Sequence, residues 1–187
     1  MAELYQGKNI GNLKSIRYGK ENEEKARKLY EEMGKFNGKN IQTFPVGFIV
    51  NLGIPFLGCS PDGVVFDEET NSFGIIEIKC PISKRNVSLD VACQDKSFYL
   101  QKDVNRLTLK KVSIYYYQVQ GEMLLTGLEF CDFIVFNGNE VWITRVKKDE
   151  EFCVEMFDTL NIFFKTYYEQ YVKNMLCPPK KPTLVFL

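Results

Sequence analysis

The chain of 187 residues contains no histidine, and this absence excludes several classes of catalytic site. Histidine is the general base of Ser-His-Asp triads and a required residue of HNH-type nuclease sites, so neither can be built here. Proton transfer must fall to carboxylates, lysine or metal-bound water. The chain also lacks a run of about 20 apolar residues and an opening signal peptide, so we expect no membrane partner.

Cysteine spacing indicates the redox environment of the protein, and the charge balance bears on whether it binds nucleic acid. The six cysteines include no Cys-x-x-Cys pair, which argues against a zinc site, a redox pair or a disulfide scaffold. Reduced thiols of an intracellular protein are expected, with a nuclear, viral or mobile-element setting left open. The 24 basic residues balance 24 acidic ones, which disfavours phosphate binding unless the cations cluster on one face.

The strongest chemical pattern is the stretch GCSPDGVVFDEETNSFGIIEIKCP, residues 58–81. Side chains alternate between the two faces of a strand, so Ile76 and Ile78 share an apolar face that can be buried. Glu77 and Lys79 then project together from the other face. Buried charges are tolerated mainly when they pair or hold a metal.

Asp62 precedes this strand in a Pro-Asp-Gly turn. A turn within residues 67–72 would fold the two strands into a hairpin and bring Asp62 towards Glu77 and Lys79. Two carboxylates and a lysine at one sheet edge predict a magnesium site. A β-hairpin with an exposed salt bridge is the alternative interpretation of this pattern.

Residues 19–35 have the composition and period of a helix. Ala26, Tyr30 and Met33 follow the spacing of a buried stripe. Glu23 lies on the same inward side, three residues before Ala26. A first-turn glutamate favours a helix N-terminus through the macrodipole, which is the simpler interpretation. Beside an acidic metal site, Glu23 becomes a candidate third carboxylate.

A second helix is predicted over residues 110–127, with a polar row along one side. Gln118 and Gln120 are about 200° apart around such a helix, so they cannot face the same site. Surface glutamines are usually without catalytic meaning. The polar row consists of Lys111, Tyr115, Gln118 and Glu122.

The remaining segments predict an α/β protein with a mixed central β-sheet flanked by helices, as one domain over residues 1–187. In chain order they are a strand near 41–50, an irregular stretch over 82–109, a hairpin over 131–146 and a long helix over about 149–174.

The blocks YGKENE, SPDG, EIKCP, YYYQVQGEM and CDFIVF occur in this order and resemble the lambda exonuclease / YqaJ viral recombinase family. This family is a branch of the PD-(D/E)xK nuclease superfamily, and the resemblance runs over about residues 18–174. It implies a restriction-endonuclease-like core and a metal-dependent 5′-to-3′ exonuclease on double-stranded DNA, used in recombination or DNA processing. An endonuclease of the same superfamily and a non-catalytic DNA-binding or interaction domain are the alternatives.

The resemblance also assigns roles to individual residues. Asp62, Glu77 and the backbone carbonyl of Ile78 would bind Mg²⁺, for which Mn²⁺ would substitute. Lys79 would be the catalytic lysine. Glu23 matches the family's helix acid, which could anchor a second ion.

Further residues match positions around the bound nucleic acid. Gln118, the first of the two glutamines, matches the family's active-site glutamine. Ser60 and Arg85 match positions near the bound phosphates, and Lys84 and Lys111 are candidate DNA contacts in a basic track around the site.

Partners follow from the resemblance as well. It implies linear duplex DNA ends as substrate, a ring of three subunits and a single-strand-annealing protein as partner. Relatives grip the terminal 5′-phosphate with an arginine and a small hydroxyl residue in a longer upstream segment. Only residues 1–17 precede the first block here, and Lys14 and Arg17 are poor substitutes, so we expect a weak preference for a 5′-phosphate end.

Overall fold

The computed structural model describes residues 13–104 and 106–176. The described residues fall into two compact units, residues 13–153 and the helical residues 154–176. The expectation about the upstream segment concerns mainly residues 1–12, which lie outside the described residues. A single domain over the whole chain stays a prediction. No described helix is both long and apolar enough to cross a membrane.

The first unit is built on a mixed five-stranded sheet. Its strands are β1 (Ile41–Phe44), β4 (Gly63–Asp67), β5 (Ser72–Lys79), β8 (Phe130–Phe136) and β9 (Val141–Lys147), in this spatial order. Only β5 and β8 run parallel, and the other neighbours are antiparallel. Two small antiparallel sheets pair β2 (Ile49–Val50) with β3 (Gly58–Cys59) and β6 (Leu100–Asp103) with β7 (Arg106–Leu109).

Helices cover both faces of the sheet. Helix α1 (Lys14–Phe36) packs on one face and α3 (Ile114–Thr126) on the other. A 3₁₀ turn (Ile82–Lys84) and the short α2 (Leu89–Gln94) lie between β5 and β6. The chain continues after β9 as α4 (Glu150–Phe163), a π-helical turn (Phe164–Tyr168) and α5 (Glu169–Leu176).

One apolar cluster packs on each face of the sheet, and β5 contributes residues to both clusters. Ile76 and Ile78 pack with Ala26 and Tyr30 of α1. Ile75 packs in the other cluster, against the buried side of α3. This mixed sheet between helices confirms the predicted fold class. The alternation predicted for β5 therefore directs Glu77 and Lys79 to the α3 side.

One predicted member of the α1 stripe is wrong. Met33 is 39% exposed, and Gly34 is the buried residue of that turn. A Cβ atom on Gly34 would lie 2.8 Å from Cδ1 of Ile41, because the helix approaches β1 closely there. Gly34 takes the place of Met33 in the buried stripe, because the close approach to β1 leaves no room for a side chain.

Two segments differ from the sequence-based prediction. The strand predicted near 41–50 is divided into β1 and β2, with Pro45 between them, because proline cannot donate to a strand ladder. The stretch over 82–109, predicted to be irregular, contains α2 and the β6–β7 hairpin. Phe98, Leu100 and Leu109 from this stretch are buried in the α3-side core.

An internal ion network links the strands on the α1 side. The Arg145 guanidinium on β9 donates to Asp132 on β8, with Nε–Oδ1 at 2.7 Å, and to Asp67 at the end of β4, with Nη1–Oδ2 at 2.6 Å. The Tyr30 hydroxyl of α1 donates to Oδ2 of Asp132 at 2.6 Å. Both carboxylates are buried and paired, so the network fixes β4 against β8, β9 and α1.

Candidate active site

The Pro-Asp-Gly turn brings Asp62 to the end of β5. The Asp62 backbone N–H donates to the carbonyl oxygen of Ile76 at 3.1 Å, and its Oδ2 accepts from the Ile78 N–H at 2.6 Å. The next residue must be small, because a Cβ on Gly63 would lie 2.9 Å from the carbonyl oxygen of Phe44. The hairpin therefore holds the Asp62 carboxylate beside the Glu77–Ile78 peptide.

Arg27 of α1 supports this turn, and the sequence-based reasoning missed it. Its Nη2 donates to the Asp62 carbonyl oxygen at 2.7 Å. It also lies 3.4 Å from a carboxylate oxygen of Glu24 and 3.8 Å from one of Glu23. The available signal was its position four residues after Glu23, on the same side of the helix.

Glu77 is the buried centre of the site. It is 2% exposed, and its Oε1 accepts hydrogen bonds from Lys79 Nζ and, at 2.7 Å, from Gln118 Nε2. Its other oxygen, Oε2, is buried without a hydrogen-bond partner among the described residues. The Lys79 ammonium also lies over the Tyr115 ring, 4.9 Å from the centroid. Lysine, glutamine and glutamate are thus in direct contact.

Gln118 and Gln120 point to different surroundings, as the helix geometry requires. Gln118 reaches Glu77, whereas Gln120 is fully buried. Gln120 donates to the Lys147 carbonyl oxygen and accepts from the Asp149 N–H, both at 2.9 Å. Gln120 therefore has a structural environment away from the carboxylates.

Glu122 is a further buried carboxylate, and its proximity to Glu77 was not anticipated. It is 3% exposed, and its Oε1 accepts from Gln118 Nε2 at 3.0 Å. Its Oε2 is buried with no partner in the described part of the chain. The i, i+4 spacing from Gln118 was the signal in the sequence, but only the docking of α3 reveals that Glu122 is buried.

An open cavity of about 450 Å³ gives access to the site. Glu23, Asp62 and Lys79 line it, so the structure brings the helix acid to the same opening as the β-hairpin residues. Lys20 also lines the cavity and was not predicted. Further lining residues include Ser15, Ser83, Tyr99 and Tyr115.

Burial and crowding raise the pKa values of the acids. Burial raises the pKa of Glu77, and nearby Asp62 adds to the shift against the opposing effect of Lys79. The pKa of Glu122 is raised by burial and then by Glu77. Burial also raises the pKa of Asp62, and burial followed by Asp62 raises that of Glu23. Each of these four acids is therefore harder to ionise than a free carboxyl group.

Lys79 behaves differently. Burial by itself would lower the pKa of its ammonium, but the contact with Glu77 outweighs burial, and the pKa is raised. Lys79 is therefore a cation at neutral pH. Its charge is available next to the carboxylates and the cavity.

The metal-ligand set would be small. Within residues 13–104 and 106–176, no three His, Cys, Asp or Glu side chains are grouped as metal ligands. The Oε2 atom of Glu77 is nevertheless a carboxylate oxygen without a partner among the described residues. A cation there would need backbone, water or substrate oxygens in addition to the carboxylates.

The predicted nucleic-acid contacts have mixed surroundings. Ser60 and Arg85 are exposed, and Arg85 lies 6.0 Å from the centroid of the Tyr18 ring. Lys84 is paired with Asp95 at 2.5 Å. Lys111 is paired with Asp149 at 2.7 Å and borders a different cavity. None of these four residues lines the cavity of the candidate site.

The described cysteines match the expectation of free thiols. Cys131 and Cys153 are buried, and the three others are half-buried. None of the five lies in a disulfide. The three half-buried cysteines are Cys59, Cys80 and Cys93.

The sequence pattern of the YqaJ-like viral recombinase domain matches residues 2–129, a range that includes every candidate site residue. The chain belongs to this family. No curated protein matches the chain.

Solved structures of a similar fold support this YqaJ-like assignment. The chain is similar to LHK-Exo in complex with dAMP, with a TM-score of 0.65 and 25% sequence identity. It is also similar to the alkaline exonuclease LHK-Exo from Laribacter hongkongensis, with a TM-score of 0.64 and 25% identity. Each match covers 93% of this chain and 79% of the other.

Proposed function

We propose that this YqaJ-like domain is a metal-dependent deoxyribonuclease that degrades linear double-stranded DNA from its ends, in the 5′-to-3′ direction. The observation that carries the proposal is the contact of Lys79 and Gln118 with one oxygen of Glu77, while the other oxygen remains without a partner among the described residues. The family and the similarity to an alkaline exonuclease support the same reaction class.

The chemistry of the donor set fits a divalent cation. A buried carboxylate oxygen without a hydrogen bond is costly unless a cation or a proton neutralises it. Asp62, Glu77 and the Ile78 carbonyl would hold Mg²⁺, which prefers oxygen ligands, and Mn²⁺ would substitute. A bound Mg²⁺ supplies polarisation of the scissile phosphate and a water of lowered pKa. Glu23, at the cavity, would hold the water shell of a second ion.

Lys79 would stabilise negative charge at the reacting phosphate. The raised pKa of Lys79 keeps its side chain protonated, which favours a role as hydrogen-bond donor and cation over a role as base. The contacts with Glu77 and the Tyr115 ring hold the ammonium before substrate binds. Gln118 would hold the Glu77 carboxylate through Oε1 and so leave Oε2 as the free oxygen.

Phosphate contacts outside the reacting centre would come from exposed side chains. Arg85, Ser60 and the cavity residue Lys20 are the candidates. The loop carrying Arg85 is anchored, because the Asn137 side chain donates to the Val87 carbonyl oxygen at 2.7 Å. Since these contacts are electrostatic, cleavage should weaken as the salt concentration rises.

Digestion of an end-labelled linear duplex tests the proposal. The wild-type protein is expected to release deoxynucleoside 5′-monophosphates in Mg²⁺, to leave a covalently closed circle intact, and to lose activity in EDTA. Labels at the 5′ and 3′ ends report the direction. Lys79→Ala is the inactive control, and the exposed Lys28→Ala is its matched active control.

Each outcome separates the candidate functions. Rapid cutting of the closed circle would replace the exonuclease by an endonuclease of the same superfamily. Binding of duplex without cleavage in Mg²⁺ or Mn²⁺ would favour a non-catalytic DNA-binding domain. We further propose a ring of three subunits and a single-strand-annealing protein as partner in the cell, which light scattering and co-purification would test.

A further inference from the structure

Glu122 is a buried carboxylate for which the proposed reaction gives no role. It is 3% exposed, and its side chain makes one hydrogen bond within the described residues, from Gln118 Nε2 to Oε1 at 3.0 Å. Its other oxygen is buried and unpaired in that part of the chain. A carboxyl group kept in such a place is unfavourable for folding, since burial of an incompletely paired polar group costs free energy.

The Gln118 amide explains what Glu122 can do there. Its Nε2 carries two N–H groups, and the two acceptors are Oε1 of Glu77 at 2.7 Å and Oε1 of Glu122 at 3.0 Å. If the amide rotated by half a turn, its own oxygen would face two carboxylate oxygens. Two acceptors on the same side of the amide therefore favour a single orientation.

The orientation of Gln118 matters for Glu77. Gln118 and Lys79 both donate to Oε1 of Glu77, which leaves Oε2 as the free oxygen. A rotated amide would remove one of the two donors and let the carboxylate turn. The orientation of the Gln118 amide therefore determines which oxygen of Glu77 remains free.

We propose that Glu122 is a positioning residue that acts through Gln118, fixing its amide so that an N–H always points at Glu77. This inference rests on the proposed nuclease function of the same site. Glu122 does not line the cavity, and its one side-chain hydrogen bond within the described residues is to Gln118, so Gln118 is its contact with the site. Removal of Glu122 should lower kcat and leave KM unchanged.

Five variants test this in the full chain. Glu122→Gln keeps an acceptor oxygen and should cleave within about threefold of wild type. Glu122→Leu removes the acceptor and should lower kcat about tenfold, with KM unchanged. In a Gln118→Leu background, Glu122→Leu should change the rate by less than about twofold, because residues acting as a unit are non-additive. Exposed Glu129→Leu is the matched control and should be unaffected.

A second measurement distinguishes positioning from a purely structural role. Glu122→Leu should raise the melting temperature in EDTA while lowering kcat, because it removes a buried carboxyl group with an unpaired oxygen. The ¹⁵N side-chain amide signals of Gln118, assigned by their loss in Gln118→Leu, should shift in Glu122→Leu and much less in Glu122→Gln.

Three results would overturn the inference. The first is an unchanged kcat in Glu122→Leu. The second is an equal loss from Glu122→Leu with and without Gln118. The third is a Gln118 amide signal that is insensitive to Glu122. The amide signals do not depend on cleavage, so they report on Glu122 even if the wild-type protein proves inactive and the proposed function fails.

Discussion

Replacement of the two glutamines of α3 by alanine should have opposite consequences. Gln118 contacts Glu77 and Glu122 at the candidate site, whereas Gln120 joins α3 to the segment after β9. Gln118→Ala is therefore expected to impair cleavage and leave folding nearly intact. Gln120→Ala is expected to impair folding and leave the cleavage rate of the folded protein nearly intact.

The contacts of the two glutamines set the expected loss of stability and the expected loss of cleavage rate. Gln120→Ala leaves the Lys147 carbonyl and the Asp149 N–H without their partner and opens space at a fully buried position. Two lost hydrogen bonds and a small cavity amount to about 3 kcal/mol. For a protein of this size that corresponds to a fall in Tm of about 6–12 °C. Gln118→Ala should cost less than about 1 kcal/mol of stability and about 10²-fold in rate.

Thermal unfolding in EDTA and initial cleavage rates in Mg²⁺ measure the two effects separately. The rate of Gln120→Ala is taken well below its own Tm, so that only folded protein is compared. Gln118→Leu serves as a second variant that preserves side-chain volume. Equal rate losses for the two alanine variants, or a larger loss for Gln120, would refute the assignment of Gln118 to the site.

Three further predictions have definite expected outcomes. Asp62→Ala, Glu77→Ala and Lys79→Ala should each abolish cleavage and leave the protein folded, as circular dichroism would show; near-wild-type cleavage by one of them would remove that residue from the site. Arg27→Ala should lower the rate about tenfold and the stability by about 1–3 kcal/mol, because the Asp62 carbonyl oxygen loses a half-buried charged donor; unchanged values in cleavage and thermal-unfolding assays would exclude a supporting role. Because the folded-state pKa of Glu77 is raised, its contribution to stability is fully present below the unfolded value of about 4.3 and is lost as pH rises through the folded value. Glu77→Gln should therefore flatten the fall in Tm above pH about 4.3 in EDTA, and a parallel pH profile would contradict this sign.

Local patterns determined much of the candidate site from the sequence. Alternation along β5 fixes Glu77 and Lys79 on the same side whatever the strand packs against. Helical geometry separates Gln118 from Gln120 for the same reason, since the angle between them depends only on the residues per turn. The Asn137-Gly138 turn likewise predicts a hairpin, and Gly138 has a φ of 102°.

The surroundings of individual charges depended on the tertiary structure. The sequence gives no sign that Lys84 and Lys111 are paired. Lys84 pairs with Asp95, 11 residues away, and Lys111 pairs with Asp149, 38 residues away. Arg27 reaches the Asp62 carbonyl across 35 residues. Contacts over such separations are set by how helices and strands pack, and no local period reveals them.

The features that the sequence did not predict are those that depend on which residues become buried. The stretch over 82–109 lacks a strong period, and α2 and β6–β7 form there because Phe98, Leu100 and Leu109 enter the core beneath α3. Glu122 belongs to a polar row that suggests a solvated face, but docking of α3 on β5 buries it beside Glu77. The sequence by itself determined which residues share a face; the tertiary structure decided which face is buried, because burial arises from packing between distant segments.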